Sequence, residues 1–570
     1  MTVASTRPER SRRLSRLRSG VTEGRLLTGL LVLAAAVQAV IVLRLVRSSW
    51  FGVDAVNYLT TRGPVPSADE GLFRPYGGHW QTIPLLVYRG LFEVFGLGSY
   101  LPYVAVALAL HIAIVFVLFA LLRGVGAHFR TAAFVSALVL FFGGGAEAYM
   151  WDAPMVLTAG LLLGLVAALV LVHTDSSGRG QVVAAVLLLA AVMCSGSGLV
   201  SAVTVGCFVL FRAGPRAALV VAAPAVAAFS VWFFTIGRDG RVSLGARRIP
   251  EIPGFVWSGL TGAVGSVLGV PITGWLLLLA LVAMVALADV RSPALRQLAV
   301  AGIVGAVTQL VLSSFASLVI GNQAARVGRY QYLVLVLLAP AMAIAIEAVA
   351  RSALAQPWAR RLVPLAAVTL LAVAIGHGIT LERRQADFGA ASARLYRTWV
   401  YGGVQAADAG ERQLVEDAST GFNGGRFELF AQPELRRELP SRPPSARTRL
   451  DTESEYFVDV GAVDPALFSP TRLISVRGLA GPTGRRPGCH SYTSDGTVSP
   501  LVEVTTGRGT EIGITSDSTV MSTQLVRDGV ESTLRTWGVA PGAVYVATTA
   551  KDAVLRVSMN GSGGFAICHQ

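Results

Sequence analysis

Long apolar runs constrain this chain more than any other feature. They fall at 26–46, 100–122, 131–142, 154–172, 217–236, 271–290, 298–320, 331–349 and 362–379. A bilayer core needs roughly 20 apolar residues per helical span. A further run, 181–211, is too long for one span and is interrupted by CSGSG at Cys194–Gly198. It reads as two short helices meeting at a polar break, which a membrane tolerates where the break is buried in protein or lines a cavity. The sum is about eleven spans. With 53% hydrophobic and 14% charged residues the chain is too apolar for a soluble globule, as its mean hydropathy of +0.59 also says. The class is a polytopic α-helical membrane protein.

The formal charge of +14 does not imply a nucleic-acid partner. The arginines sit beside apolar runs, where they orient spans and meet anionic headgroups of membrane lipids, instead of forming one basic face. Residues 1–25 are a basic tail carrying Arg7, Arg10, Arg12, Arg13, Arg16, Arg18 and Arg25. The first run lacks a small-residue cleavage site and reads as an uncleaved signal anchor. This puts the N-terminus in the cytoplasm of a multi-pass plasma-membrane protein. The inner turns then hold Arg123, Arg130, Arg179, Arg212, Arg216, Arg291, Arg296, Arg351, Arg360 and Arg361, and the acids Asp54, Asp69, Glu70, Glu147 and Asp152 lie outside.

Two outer loops break that rule. One, 237–252, carries Arg238, Arg241, Arg247 and Arg248, and the other, 321–330, carries Arg326 and Arg329. A guanidinium fork suits phosphate and carboxylate oxygens. The plainer reading is ion pairing with Asp239, Glu251 or an acid of the first outer loop.

Beyond residue 379 no run is long enough to span. Residues 380–444 read as helix and loop. From 445 to 570 short β-prone runs separated by Gly, Pro, Asp and Asn predict a small β-sandwich or barrel. An odd number of spans makes it extracytoplasmic, where a Cys489–Cys568 disulfide is permitted. Cys194 and Cys207 lie in apolar helices and read as buried thiols. No cysteine has metal-ligand spacing. The Asn560-Gly-Ser562 sequon is too short a pattern to weigh.

The first outer loop, FGVDAVNYLTTRGPVPSADEGLFRPYGGHW over 51–80, gathers Asp54, Asp69, Glu70, Arg74, His79 and Trp80. Its composition suits a site at the membrane surface as well as a solvated connection. His111, inside a span, reads as a hydrogen-bonded packing residue, although its depth keeps a functional role open. Trp80, Tyr149 and Trp151 read as interfacial aromatics or as sugar-stacking surfaces. Asp152 reads as the cap of the helix starting at Pro154. Ser195 and Ser197 satisfy backbone at the break. The glycine clusters Gly143–Gly145 and Ser195–Gly198 lack the strand–loop–helix setting of a nucleotide site.

Four features together resemble the GT-C class of integral-membrane glycosyltransferases, which use polyprenyl-phosphate-linked sugars. They are Asp54 shortly after the first span, the stretch 74–126 with its FG turn and His111, Glu147 in the second outer loop, and the Arg329-Tyr330 pair opening a late span. The stretch 74–126 is similar to protein O-mannosyltransferase-like members, and the resemblance covers roughly residues 26–379. It implies inverting transfer of a sugar to an envelope glycan, lipid or protein outside the cytosol. Asp54 is then the base, with Asp69 and Glu70 as alternatives, because many members have two adjacent acids where Asp54 stands alone. Glu147 orients the acceptor or shares a divalent cation, Mg or Mn, with Asp54. Arg329, with Arg247 or Arg248 and the neighbouring Arg326 and Tyr330, holds the lipid phosphate. His79 and Arg74 bind phosphate or sugar. A flippase of lipid-linked saccharides and a non-catalytic envelope scaffold are the competing expectations.

Overall fold

The computed structural model describes residues 7–52, 71–240 apart from 77, 246–408 apart from 271–273, 291, 319–320 and 358, and beyond 408 mainly strands. Tertiary contacts divide the chain into two units, residues 1–49, 70–91 and 100–390, and residues 50–69, 92–99 and 391–570.

The helices, in order, are α1 Arg7–Leu45, α2 Thr82–Phe95, α3 Leu101–Gly124, α4 Phe129–Leu140, α5 Glu147–Met150, α6 Met155–His173, α7 Gly178–Val192, α8 Gly196–Ala213, α9 Pro215–Thr235, α10 Ile252–Gly265, α11 Gly274–Leu287, α12 Pro293–Ser317, α13 Gly328–Leu354 and α14 Ala359–Asp408. Among the described residues eight helical stretches are long and apolar enough to cross a membrane, from Glu23–Ser48 to Leu362–Ala393. Three of the expected spans are shorter. The helices α4, α7 and α11 have 12, 15 and 14 residues. At 1.5 Å per residue these reach about 18–23 Å, less than a bilayer core. The 3₁₀ turn Gly143–Gly145 follows close behind α4, and the break at 193–195 ends α7 as the sequence predicted.

The core of the first unit is built around α13. Every residue from Gln331 to Ala341 is buried, so this stretch of the helix is enclosed on all sides. Its neighbours approach closely through small residues, as helices in lipid do. A Cβ at Gly302 of α12 would stand 2.1 Å from the Leu337 carbonyl oxygen. Across α6 and α8 the Ser201 hydroxyl donates to the Gly160 carbonyl at 3.1 Å. The last helix does not stop at 379 but continues unbroken to Asp408. Residues 380–408, expected as helix and loop, are therefore an extension of a span.

The second unit contains twelve strands among its described residues, β1 Val458–Gly461, β2 Arg472–Arg477, β3 Ala480–Arg486, β4 Cys489–Ser494, β5 Leu501–Thr505, β6 Thr510–Ser516, β7 Val520–Arg527, β8 Val530–Glu531, β9 Arg535–Gly538, β10 Gly542–Thr548, β11 Val554–Asn560 and β12 Gly563–Cys568. They form two antiparallel sheets of order β1-β10-β6-β12-β4-β3 and β2-β5-β11-β7-β8, with β9 paired to β7. This agrees with the β-rich region expected from the sequence. In the second sheet β5 (Leu501–Thr505), β7 (Val520–Arg527) and β11 (Val554–Asn560) bury Val502, Val504, Leu525, Leu555 and Val557. Glu503 and Arg556 are register partners on the opposite face and form an ion pair at 2.8 Å. Asp528 and Gly529, at φ 52° and 76°, make the tight turn from β7 to β8 (Val530–Glu531), as a two-residue hairpin demands. In the first sheet Cys489 of β4 (Cys489–Ser494) lies directly opposite Cys568 of β12 (Gly563–Cys568).

Candidate active site

The site is built on the loop after α4. The Gly143–Gly145 turn is pressed against α13 and α14, where a Cβ at Gly143 would stand 2.0 Å from the Gly378 oxygen and one at Gly145 2.8 Å from Tyr332. Only glycine permits that approach. The short α5 follows at once and places Glu147, 8% exposed, at the start of α13. One carboxylate oxygen accepts from the Arg329 guanidinium and the other from the Arg329 backbone N–H at 3.1 Å. A carboxylate at a helix N-terminus also meets the positive end of the helix dipole.

The guanidinium of Arg329 lies 5.3 Å from the Tyr330 ring centroid, and the Tyr330 hydroxyl meets Ser317 Oγ at 3.0 Å. His79 lies close enough for Arg329 to act on it electrostatically. Burial first, and then that positive charge, hold its imidazole below the ordinary histidine range. The Gly196 N–H donates to His79 Nδ1 at 3.4 Å. Glu147, Arg329, Tyr330 and His79, singled out separately in the sequence, thus come together.

The other candidates that are described make different contacts. Arg248 donates to the Leu318 carbonyl at 2.8 Å and so closes the end of α12. Arg326 donates to Ser258 Oγ at 3.1 Å. Arg74 is exposed, in a turn closed by its N–H to the Gly71 carbonyl at 3.0 Å. Asp54, Asp69, Glu70 and the side chain of Arg247 lie outside the described residues. Among the described residues no three His, Cys, Asp or Glu side chains group as a metal site. Both Glu147 carboxylate oxygens accept from Arg329, and Asp54, expected to share a cation with Glu147, lies outside the described residues.

Several expectations are corrected. Asp152 does not cap α6, whose N-terminus has no side-chain cap. Its carboxylate instead accepts from the hydroxyls of Tyr88 and Tyr100, the latter at 2.9 Å. Burial raises its pKa, and the tyrosine hydrogen bonds oppose that rise. Tyr149 and Trp80 are not lipid-facing. Tyr149 is fully buried, and its hydroxyl donates to Glu382 Oε1 at 2.6 Å. Trp80 stacks on Trp232 with centroids 5.4 Å apart and planes 10° apart. Ser195 and Ser197 satisfy the break as expected: Ser195 Oγ accepts the Ser197 N–H at 3.1 Å, and Ser197 Oγ donates to the Leu157 carbonyl at 2.8 Å.

His111 is a hydrogen-bonded packing residue. Its Nε2 donates to the Leu140 carbonyl at 3.1 Å, which leaves Nδ1 to accept from the Tyr332 hydroxyl at 2.7 Å. Its ring stacks on Tyr149 at 4.2 Å. The residue that sequence reading missed is Glu382, fully buried in α14, which accepts from both Tyr149 and the Gln38 amide. Through Tyr149 it pins the one-turn helix that carries Glu147.

The described residues thus combine a body of membrane-length helices, a β-rich C-terminal region and an acid–arginine–histidine group at the start of a buried span. No protein-family model matches the chain, and no curated protein matches it in sequence. Several solved structures are similar to it, among them the following three. ArnT from Cupriavidus metallidurans in the apo state is 14% identical, over 79% of this chain and 96% of that one, at a TM-score of 0.41. The mycobacterial arabinofuranosyltransferase AftD is 11% identical at a TM-score of 0.41, covering 95% of this chain but 58% of its own. The oligosaccharyltransferase AglB of Archaeoglobus fulgidus, with an inhibitory peptide and a dolichol-phosphate, is 14% identical at a TM-score of 0.35, over 73% and 61%. Likeness at this level carries no residue role across.

Proposed function

We propose that the protein is a membrane glycosyltransferase that moves a sugar from a polyprenyl-phosphate donor to an envelope glycan, lipid or protein outside the cytosol, with the N-terminus inside. One observation carries this reading: a guanidinium at the start of a span, its side chain 35% exposed, held by a buried carboxylate and within electrostatic reach of an imidazole. Such a fork binds phosphate oxygens, and the end of a span is where a lipid-linked phosphate lies.

In the reaction an acceptor hydroxyl oxygen attacks the anomeric carbon and the bond from that carbon to the phosphate oxygen breaks. The leaving polyprenyl phosphate takes the electron pair and gains a negative charge, which Arg329 stabilises. The acceptor proton passes to a base, for which Asp54 is proposed from its place in the sequence. Glu147 keeps Arg329 from swinging toward other anions and leaves its outer edge for the phosphate. A direct displacement inverts the anomeric centre. The flippase reading gains little from the helix break, since its first N–H and its serines are already used by His79 and by neighbouring backbone.

The test is turnover. Full-length protein in lipid nanodiscs is incubated with labelled polyprenyl-phosphate hexoses and pentoses, and free polyprenyl phosphate is measured. One donor is expected to be consumed by wild type and not by Arg329→Gln. Equal turnover by Arg329→Gln, or failure of wild type to bind polyprenyl phosphate at all, overturns the reading.

A further inference from the structure

The loop that carries His79 is moored to the helix break. Tyr76 and His79 exchange backbone hydrogen bonds at 3.1 and 3.0 Å, and the Ile83 N–H donates to the Met193 carbonyl at 3.3 Å. Ser195 caps α8 from an extended backbone, and its hydroxyl takes the Ser197 N–H. The N–H of Gly196, the first helical residue, has no acceptor inside the helix, and it points at His79 Nδ1. Glycine eases this approach, since a Cβ at 196 would stand 3.2 Å from that nitrogen.

An N–H aimed at Nδ1 needs a lone pair there, so the single ring proton sits on Nε2. An imidazolium would set N–H against N–H, at the positive end of the α8 dipole and beside the Arg329 cation. Among the described residues, the charged groups acting on the ring are that helix end and Arg329, with Glu147 already paired to Arg329.

We infer that His79 is a neutral, Nε2-protonated hydrogen-bond donor to the phosphate of the lipid-linked substrate, its tautomer locked by the Gly196 N–H. The inference rests on the glycosyltransferase reading for its ligand, and on the fold alone for its tautomer. As the glycosidic bond breaks and its electron pair moves to the phosphate oxygen, the Nε2–H and Arg329 share the new charge and neither gives up a proton. The break that could pass for a transport hinge is, on this account, the device that sets a catalytic tautomer.

Two measurements test it. The first is nitrogen-15 NMR of histidine-labelled full-length protein in nanodiscs, with His79 identified among the seven histidines by its loss in His79→Gln. Nε2 alone should be protonated from about pH 6 to about pH 8. A doubly protonated ring at about pH 6, or a proton on Nδ1, overturns the inference. The second is binding of polyprenyl phosphate without sugar. Loss of one hydrogen bond to an anion should weaken binding roughly ten- to hundredfold in His79→Ala, and His79→Gln, which keeps an N–H, should recover most of it. Binding lost in Arg329→Gln but unchanged in His79→Ala overturns the role of His79 alone. No binding by wild type overturns the functional reading with it, whatever the tautomer.

Discussion

Breaking the Glu147–Arg329 pair should show that the two residues act as one unit. The carboxylate side chain is 10% exposed and the guanidinium side chain 35%. Removing one member of a fully buried pair costs about 3–5 kcal/mol, and an exposed pair is worth about 0.2–1 kcal/mol. This pair lies between. Glu147→Gln keeps an acceptor for the Arg329 N–H and leaves a partly hydrated cation, a loss of about 2 kcal/mol. Arg329→Gln strands a carboxylate with less access to water and should cost about 3 kcal/mol. The double variant removes both charges and should be no worse than Arg329→Gln, so the coupling is about 2 kcal/mol. Denaturant unfolding of the four proteins in detergent, followed by tryptophan fluorescence, gives the cycle. The coupling should change little with salt because the pair is mostly buried. Effects that add within about 0.5 kcal/mol refute the reasoning.

Further outcomes follow from the same geometry. Burial raises the pKa of Asp152, so the folded protein keeps that proton to a higher pH than the unfolded chain does. The stability this adds is complete below about pH 4 and is lost as pH rises through the raised value. The unfolding midpoint of wild type relative to Asp152→Asn should therefore fall between about pH 4 and neutrality; a rising difference contradicts the assignment. Glu382→Gln keeps an acceptor for Tyr149 and should cost under about 1.5 kcal/mol, against about 2–4 kcal/mol for Glu382→Ala, and equal losses would mean Tyr149 is not held there. Gly143→Ala should destabilise by about 2 kcal/mol or more, because the clash is with the backbone oxygen of Gly378 and no rotamer relieves it. Cys489 and Cys568 are register partners on adjacent antiparallel strands, an arrangement whose backbone spacing suits a disulfide. Peptide mapping of unreduced protein should find them joined, and free labelling of both thiols overturns the pairing.

What was legible in the sequence follows physical range. Apolar runs set the spans, and the CSGSG interruption marked the break at 193–195, because each depends on residues close in the chain. The β-prone runs beyond 445 are local signals of the same sort. Glu147 and Arg329 were each picked out, one as an outer acid and one as an arginine on the wrong side, but their pairing across 182 residues carries no local mark. The same holds for His79 and Gly196. Glu382 was lost because it precedes Arg383 and Arg384 and so looks like the polar end of a span, while the helix in fact continues. Asp152 beside Pro154 has the spelling of a helix cap, yet its carboxylate is taken by Tyr88 and Tyr100, and only the fold brings α2 and the start of α3 to it. Short helices were read as full spans because an apolar run does not reveal where a neighbouring backbone, such as that of Gly378 at Gly143, forces a turn.

The most direct test of sugar transfer through this site is envelope-glycan composition in cells where the gene is deleted and then restored as wild type, Arg329→Gln or Asp54→Asn, with membrane insertion confirmed for each. Both variants should reproduce the deletion, lacking the same sugar or glycolipid that wild type restores. Full restoration by both, in cells where the deletion removes a defined glycan, would contradict the proposed chemistry.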